Sequence, residues 1–159
     1  MRIQGKEIQG PNVETIIIPR GNGDPIVFKV QAVLDYDDFE RLCPEPKAPK
    51  MLKPGGVETL DFKDKTYVAA FAARNKKQSY FMFIKSIMAT PGLEFDKVKY
   101  DQPETWEFFE QELKDAGLSQ VERNKITQGI MIANCLDESK IEEARNRFTQ
   151  SQEITVADG

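Results

Sequence analysis

A chain of 159 residues, 40% apolar and 30% charged, is long enough to bury a core as one domain without disulfide or metal staples. Its net charge of −4 lacks the basic footprint that binding a phosphate backbone requires, so no nucleic acid is expected as a partner. It contains no histidine, which removes Ser-His-Asp and Cys-His arrangements, His-ligated zinc and the usual general base near neutral pH.

In chain order, Val13 to Pro19 is β-branched and apolar and Ile26 to Val33 alternates, with the turn-rich Arg20-Gly21-Asn22-Gly23-Asp24-Pro25 between them. This predicts an antiparallel hairpin turning at Asn22-Gly23, a pair that tolerates positive φ. Ile3 to Ile8 is read as a candidate third strand. Asp35 reads as the N-cap of a short helix with Asp37, Asp38 and Glu40 in its first turn, stopping at Cys43 before Pro44. Four prolines and Gly55-Gly56 make Pro44 to Gly56 a linker or long loop.

Asp64 caps the next predicted helix, which runs to about Ala89 with Tyr67, Phe71, Phe81, Ile84, Ile87 and Met88 as its apolar face. Its polar middle, Arg74 to Ser79, is either solvated or a break. Thr90-Pro91-Gly92 ends it, and Leu93 to Tyr100 reads as a strand or an extended connector. Three short helices follow. The first starts at Asp101 or Gln102, aligns Trp106, Phe109 and Leu113, and closes at Gly117 as a C′ glycine. The second opens on a capping box, Ser119 with Glu122, and turns Ile126, Ile130 and Ala133 inward. The third is capped by Asp137, with Ile141, Ala144 and Phe148 at i, i+3, i+7. The expected organisation is one compact α+β domain. Residues 1–43 hold a small antiparallel N-terminal sheet, 44–56 the linker or loop, 57–149 a mainly helical region and 150–159 a flexible tail.

Nothing in this pattern assembles a reaction centre, so catalytic, metal and cofactor residues are all expected to be absent. Gly21-x-Gly23 lacks the third glycine and the following helix of a phosphate cradle and reads as a turn. Asp35-x-Asp37-Asp38 has Phe39 where a calcium loop needs a ligand, and reads as helix capping. Glu107, Glu110 and Glu112 read as the wet side of a helix. Cys135 reads as a buried structural thiol, and Arg74, Lys76, Lys77 and Lys85 as a solvated helix face. Two distant thiols, Cys43 and Cys135, fit a reducing compartment. With no apolar leader at Met1 to Lys6 and no apolar run long enough to span a bilayer, the cytoplasm is the expected location. The aromatic residues crowd two helices on more than one side. Phe83, Trp106, Phe108 and Phe109 are therefore the candidate partner-binding residues, beside the plainer reading that they fill a core.

The chain resembles tail assembly chaperones of long-tailed (siphovirus-like) bacteriophages. The resemblance rests on the hairpin leading into Val33-Leu34-Asp35-Tyr36-Asp37-Asp38-Phe39 and the proline-rich Pro44 to Gly56. It continues through Trp106 to Leu113, Ala116-Gly117-Leu118-Ser119, Glu122-x-x-x-Ile126, and Ala133-Asn134-Cys135-Leu136-Asp137 to Phe148. It implies a non-enzymatic protein of the infected host cytoplasm, absent from the mature virion, that binds the tape measure protein and keeps it soluble. The tail tube protein and self-association are further partners it implies; no membrane and no cofactor are expected. It also implies a longer frameshifted product, whose extension would begin in Ser151 to Gly159. Two other classes compete: a permanent virion or head-tail completion subunit, and a small cytoplasmic enzyme using a carboxylate or lysine.

Overall fold

The computed structural model describes residues 1–157, with side chains described through Arg147 and at Thr149. The elements run β1 (Arg2–Ile3), β2 (Lys6–Glu7), β3 (Val13–Ile18), β4 (Ile26–Gln31), α1 (Asp37–Leu42), β5 (Lys50–Lys53), β6 (Val57–Leu60) and α2 (Lys65–Ile87). A 3-10 helix (Pro103–Phe108), α3 (Phe109–Asp115), α4 (Gln120–Ala133) and α5 (Glu138–Ala157) follow. The fold is α+β, with strands first and helices filling the C-terminal half. Its strands form three separate two-stranded antiparallel ribbons among the described residues. Contacts divide the chain into two compact units instead of following its linear order. Unit 1 takes Met1–Leu34, Lys85–Leu93 and Gly117–Gly159, and unit 2 takes Asp35–Ile84 and Glu94–Ala116.

Unit 1 is organised by β3 and β4, paired from Val13↔Gln31 to Ile18↔Ile26. Strand alternation places Ile16, Ile18, Phe28 and Val30 on one face, all buried. Helix α4 covers that face with Ile126, Ile130 and Ala133, each fully buried. Gly129 permits the close approach, because a Cβ there would lie 2.4 Å from Ile16 Cδ1. Asn134, just past α4, ties three elements together. Its Oδ1 accepts from the Val33 N–H at 2.8 Å, and its Nδ2 donates to Ser86 Oγ and Ile130 O, both at 2.9 Å. The buried Ser86 hydroxyl is thereby partnered, as burial of a polar group demands. Asn12, at the same open end of the hairpin, donates to Ala133 O at 3.1 Å.

Helix α4 carries the expected capping box: Ser119 Oγ accepts from Glu122 N, and Glu122 Oε2 accepts from Ser119 N at 2.7 Å. Arg20 adds an ion pair to Glu122 at 2.6 Å. Those Ser119 bonds, led by its backbone N–H and joined by Arg20, hold the Glu122 carboxyl below the usual range. The C-terminus is a Schellman motif, with Leu136 N donating to Met131 O at 2.8 Å and Cys135 N to Ile132 O at 3.0 Å. Its left-handed position is filled by Cys135, at φ 56°.

Unit 2 is built on an aromatic cluster. Phe81 lies 5.5–5.8 Å from the ring centroids of Tyr36, Phe39, Tyr100 and Trp106, within the favourable range for aromatic pairs. The Trp106 indole donates to Lys99 O at 3.1 Å and Tyr100 O at 3.2 Å, so the ring is buried without an orphan donor. Arg74 lies 4.8 Å over Phe39, donates to Cys43 O at 2.8 Å and pairs with Glu40. The connector 94–100 is held by Glu112, whose carboxylate accepts from the N–H groups of Asp96, Lys97 and Val98.

Several elements differ from the sequence reading. Ile3 to Ile8 is no third strand: β1 and β2 pair with each other around Gln4 and Gly5, whose φ values of 49° and 78° suit a tight turn. Neither Asn22 nor Gly23 has positive φ, and residues 19–25 form a wider loop. Helix α1 is N-capped by Tyr36 with no side-chain bond, while Asp35 accepts from Asp37 N at 3.3 Å, a local turn that competes with capping. Part of the expected linker or loop is strand β5, which pairs with β6 across Pro54-Gly55-Gly56. The Gly56 N–H donates to Lys53 O at 3.0 Å and Gly55 has φ 102°, the proline-glycine pattern of a type II turn. Helix α2 is continuous through its polar middle, and Met88 lies beyond its end, exposed. Leu93 to Tyr100 is a connector with no strand. The α5 backbone stays helical from 150 to Ala157, where a flexible tail was expected. Its presumed inner residues Ile141 and Ala144 are exposed; the Phe148 side chain, Asp158 and Gly159 lie outside the described residues.

Candidate docking surface

Of the four aromatic residues expected to meet a partner, Trp106 and Phe109 are fully buried. They line the aromatic core of unit 2, where one face of the 3-10 helix and α3 meets α1 and α2 residues, so the core-filling reading holds for both. Phe83 is half-buried, 6.0 Å from the Phe109 ring. Phe108 alone faces solvent, 43% exposed, because it falls off the Trp106–Phe109–Leu113 face.

The larger apolar surface lies elsewhere in unit 2. Every residue of β5 is exposed, and so is all of β6 except half-buried Thr59. Alternation puts Leu52 and Leu60 on one face of this ribbon and Met51 and Val57 on the other, and all four are exposed. Phe62 follows at 61% exposure, and Val68 and Phe71 extend the apolar surface along the first half of α2. Phe62, Tyr67 and Phe71 run as a ladder with centroid spacings of 5.9 and 6.1 Å. Unit 1 has a smaller counterpart in Ile17 and Val27, paired neighbours on the face of β3–β4 turned away from α4. The sequence reading missed the ribbon because it weighed the four prolines above two short runs, Lys50-Met51-Leu52-Lys53 and Val57-Glu58-Thr59-Leu60, neither of which alternates apolar with polar residues. Pro54-Gly55-Gly56 between two such runs is itself a hairpin signal.

A cleft of about 380 Å3 in unit 2 is walled by Lys76, Lys77 and Tyr80 on α2 and by Pro103, Glu104 and Glu107 on the 3-10 helix. Both glutamates are exposed. Among the described residues no group of three or more Cys, Asp or Glu side chains could hold a metal ion. Cys43 is buried and its thiol is pushed up by that burial, which disfavours the reactive thiolate. Cys135, expected to be buried, is exposed, because it occupies the left-handed turn residue beyond α4. No described helix is long and apolar enough to cross a membrane. No protein-family model, curated protein or solved structure matches the chain.

Proposed function

We propose that this protein is a non-catalytic, protein-binding chaperone of phage tail assembly that engages the tape measure protein in the host cytoplasm. The observation that carries the reading is the uncovered apolar β-ribbon, Met51, Leu52, Val57 and Leu60, continued by Phe62 and Val68. An exposed apolar surface of this extent, studded with lysines that keep it soluble, suits repeated weak contact with an extended client. The client identity rests on the sequence resemblance. Ile17 and Val27 in unit 1 and Phe108 in unit 2 add further contact points; the tail tube protein is a second candidate partner.

The test is co-expression with the tape measure protein encoded beside this gene, reading client solubility and co-purification. The expected result is a soluble, co-purifying client that returns to the pellet when Leu52 and Phe62 are both changed to Ser. A client that stays insoluble beside the wild-type chain sinks the reading. Finding the chain in purified virions would favour a structural subunit instead.

A further inference from the structure

We propose that the outer edge of β3 is a strand-addition site. It takes one extended segment of a partner protein, rich in alternating β-branched residues and carrying a Lys or Arg beside Glu14. The site belongs to unit 1 and stands whether or not the chaperone reading does.

The hydrogen-bond register fixes which backbone groups point outward. One step beyond the Val13↔Gln31 pair, Ala32 N donates to Asn12 O at 2.9 Å, so Asn12 and Ala32 form a bonded pair. Bonded and non-bonded pairs alternate along an antiparallel ladder. Glu14↔Val30, Ile16↔Phe28 and Ile18↔Ile26 are therefore bonded, while Val13, Thr15 and Ile17 turn their N–H and C=O groups away from β4. The far edge agrees in phase. Lys29, the partner of Thr15, gives its N–H to Thr90 Oγ1 at 3.0 Å, and its C=O accepts from that hydroxyl at 2.9 Å. The outer edge of β4 is thus stopped at its centre by a side chain. On β3 the outward groups of Val13, Thr15 and Ile17 have no partner among the described residues, and all three side chains are exposed.

Exposed edges are ordinarily guarded by lysine, proline or a bulge. β3 has none of these: its pairing is unbroken, and every residue except Glu14 is β-branched. Pro11 and Pro19 flank it, and neither has an N–H to offer, so the open stretch is β3 itself. Donors and acceptors at the two-residue repeat of a strand match an extended backbone, the chemistry of β-augmentation. Charge narrows the occupant further. Glu14 lies on the α4 side of the ribbon, half-buried, without a hydrogen bond or ion pair among the described residues. A basic side chain next to it on an added strand would pair with it. β3 contains no Lys or Arg, so a second β3 laid alongside cannot supply that charge, and the edge suits a different chain.

The probe is the acetylated and amidated peptide Val-Thr-Val-Thr-Lys-Thr, which laid antiparallel sets its lysine opposite Glu14. Amide exchange and chemical shifts of the purified full chain, followed by NMR, read the outcome. In the free chain the Thr15 and Ile17 amides should exchange at least about tenfold faster than Ile16. The peptide should protect both, with a dissociation constant below about 1 mM. N-methylation of the peptide threonines should weaken binding roughly tenfold, because their N–H groups face the β3 carbonyls. Replacing the peptide lysine by glutamate should weaken it about threefold, and a Glu14→Gln chain should lose that preference. Thr15→Pro removes an outward N–H that the β3–β4 ladder does not use, and should abolish binding while Ile16 stays protected. No protection of Thr15 at about 1 mM peptide overturns the proposal, as does equal binding of the N-methylated peptide, a control that leaves the protein untouched. Shifts confined to β5–β6 overturn it in favour of the unit 2 ribbon. Thr15 protection that grows with protein concentration, without peptide, overturns it in favour of a second copy.

Discussion

Two hairpins of this protein share antiparallel pairing and differ in what covers them. In β3–β4, Ile16, Ile18, Phe28 and Val30 face α4 and are buried. In β5–β6, Met51, Leu52, Val57 and Leu60 divide between two faces, and all four are exposed. A two-stranded ribbon is marginal alone in water, so stability has to come from what lies against it. Sequence composition does not separate the two: both carry branched apolar residues beside charged ones. What separates them is cover. β3–β4 carries Ile17 and Val27 on its outer face but buries Ile16, Ile18, Phe28 and Val30 on the other, whereas every apolar residue of β5–β6 is exposed.

The sharpest test uses the same substitution on each side. Phe28 is 7% exposed and Phe62 is 61% exposed. Phe28→Ala should cost about 3–5 kcal/mol, the range for emptying a buried aromatic site. Phe62→Ala should cost about 1 kcal/mol or less, since it loses only edge contact with Tyr67. Urea unfolding followed by far-UV circular dichroism measures both. Equal losses would mean that Phe62 is covered in solution, and the contrast between the hairpins would fail.

How far this was legible in the sequence follows the same division. Where periodicity and local capping agree, the reading holds: Trp106, Phe109 and Leu113 are buried, Ile126, Ile130 and Ala133 face β3–β4, and Ser119 with Glu122 forms its box. Gly117 has the positive φ of a C′ glycine, and Asp64 accepts from Tyr67 N at 2.8 Å as the α2 cap. These signals are local, and neighbours a few residues away decide them. The failures are long-range. Nothing near Met51 or Phe62 tells that no helix will cover them, and nothing near Trp106 tells that Phe39 and Phe81 will. The partner-facing set therefore shifts, since an aromatic on two sides of a helix is satisfied by an aromatic from far along the chain. Asn134 was quoted only as part of a resemblance, yet it bonds Val33 and Ser86, contacts 101 and 48 residues distant.

Smaller effects sharpen the covered side. Gly129→Ala gains helix propensity of about 1 kcal/mol but drives a methyl into Ile16, so overpacking of about 1–3 kcal/mol should leave a net loss. Adding Ile16→Val should cost less in that background than in the wild type, a coupling that a double-mutant cycle reads directly. Full additivity would show that helix and strand are further apart than described. At the far end of α4, Cys135→Gly should raise stability by about 1 kcal/mol, because glycine adopts the left-handed turn without the side-chain penalty. An unchanged or lowered midpoint would mean that the thiol contributes something its exposure does not suggest.

The last contrast is with pH. Two carboxyls at the ends of α4 and α5 are held below their usual range: Glu122 chiefly by the Ser119 backbone N–H, and Asp137 chiefly by the Ser139 hydroxyl, with Lys140 N adding. A group whose folded pKa is depressed binds protons more tightly when unfolded. Its contribution is therefore complete above the unfolded pKa, near 4, and is lost as the pH falls through the folded value. Both groups lie in unit 1, and the covered hairpin depends on α4. Acidification from about pH 6 towards pH 3 should thus weaken unit 1, and Glu122→Gln should remove part of that slope while lowering stability at neutral pH. Because the sole tryptophan, Trp106, sits in unit 2, its fluorescence follows that unit, while amide exchange along β3 and α4 follows the other. A Glu122→Gln chain with wild-type exchange at β3 across this range would show that the α4 cap does not support the covered hairpin.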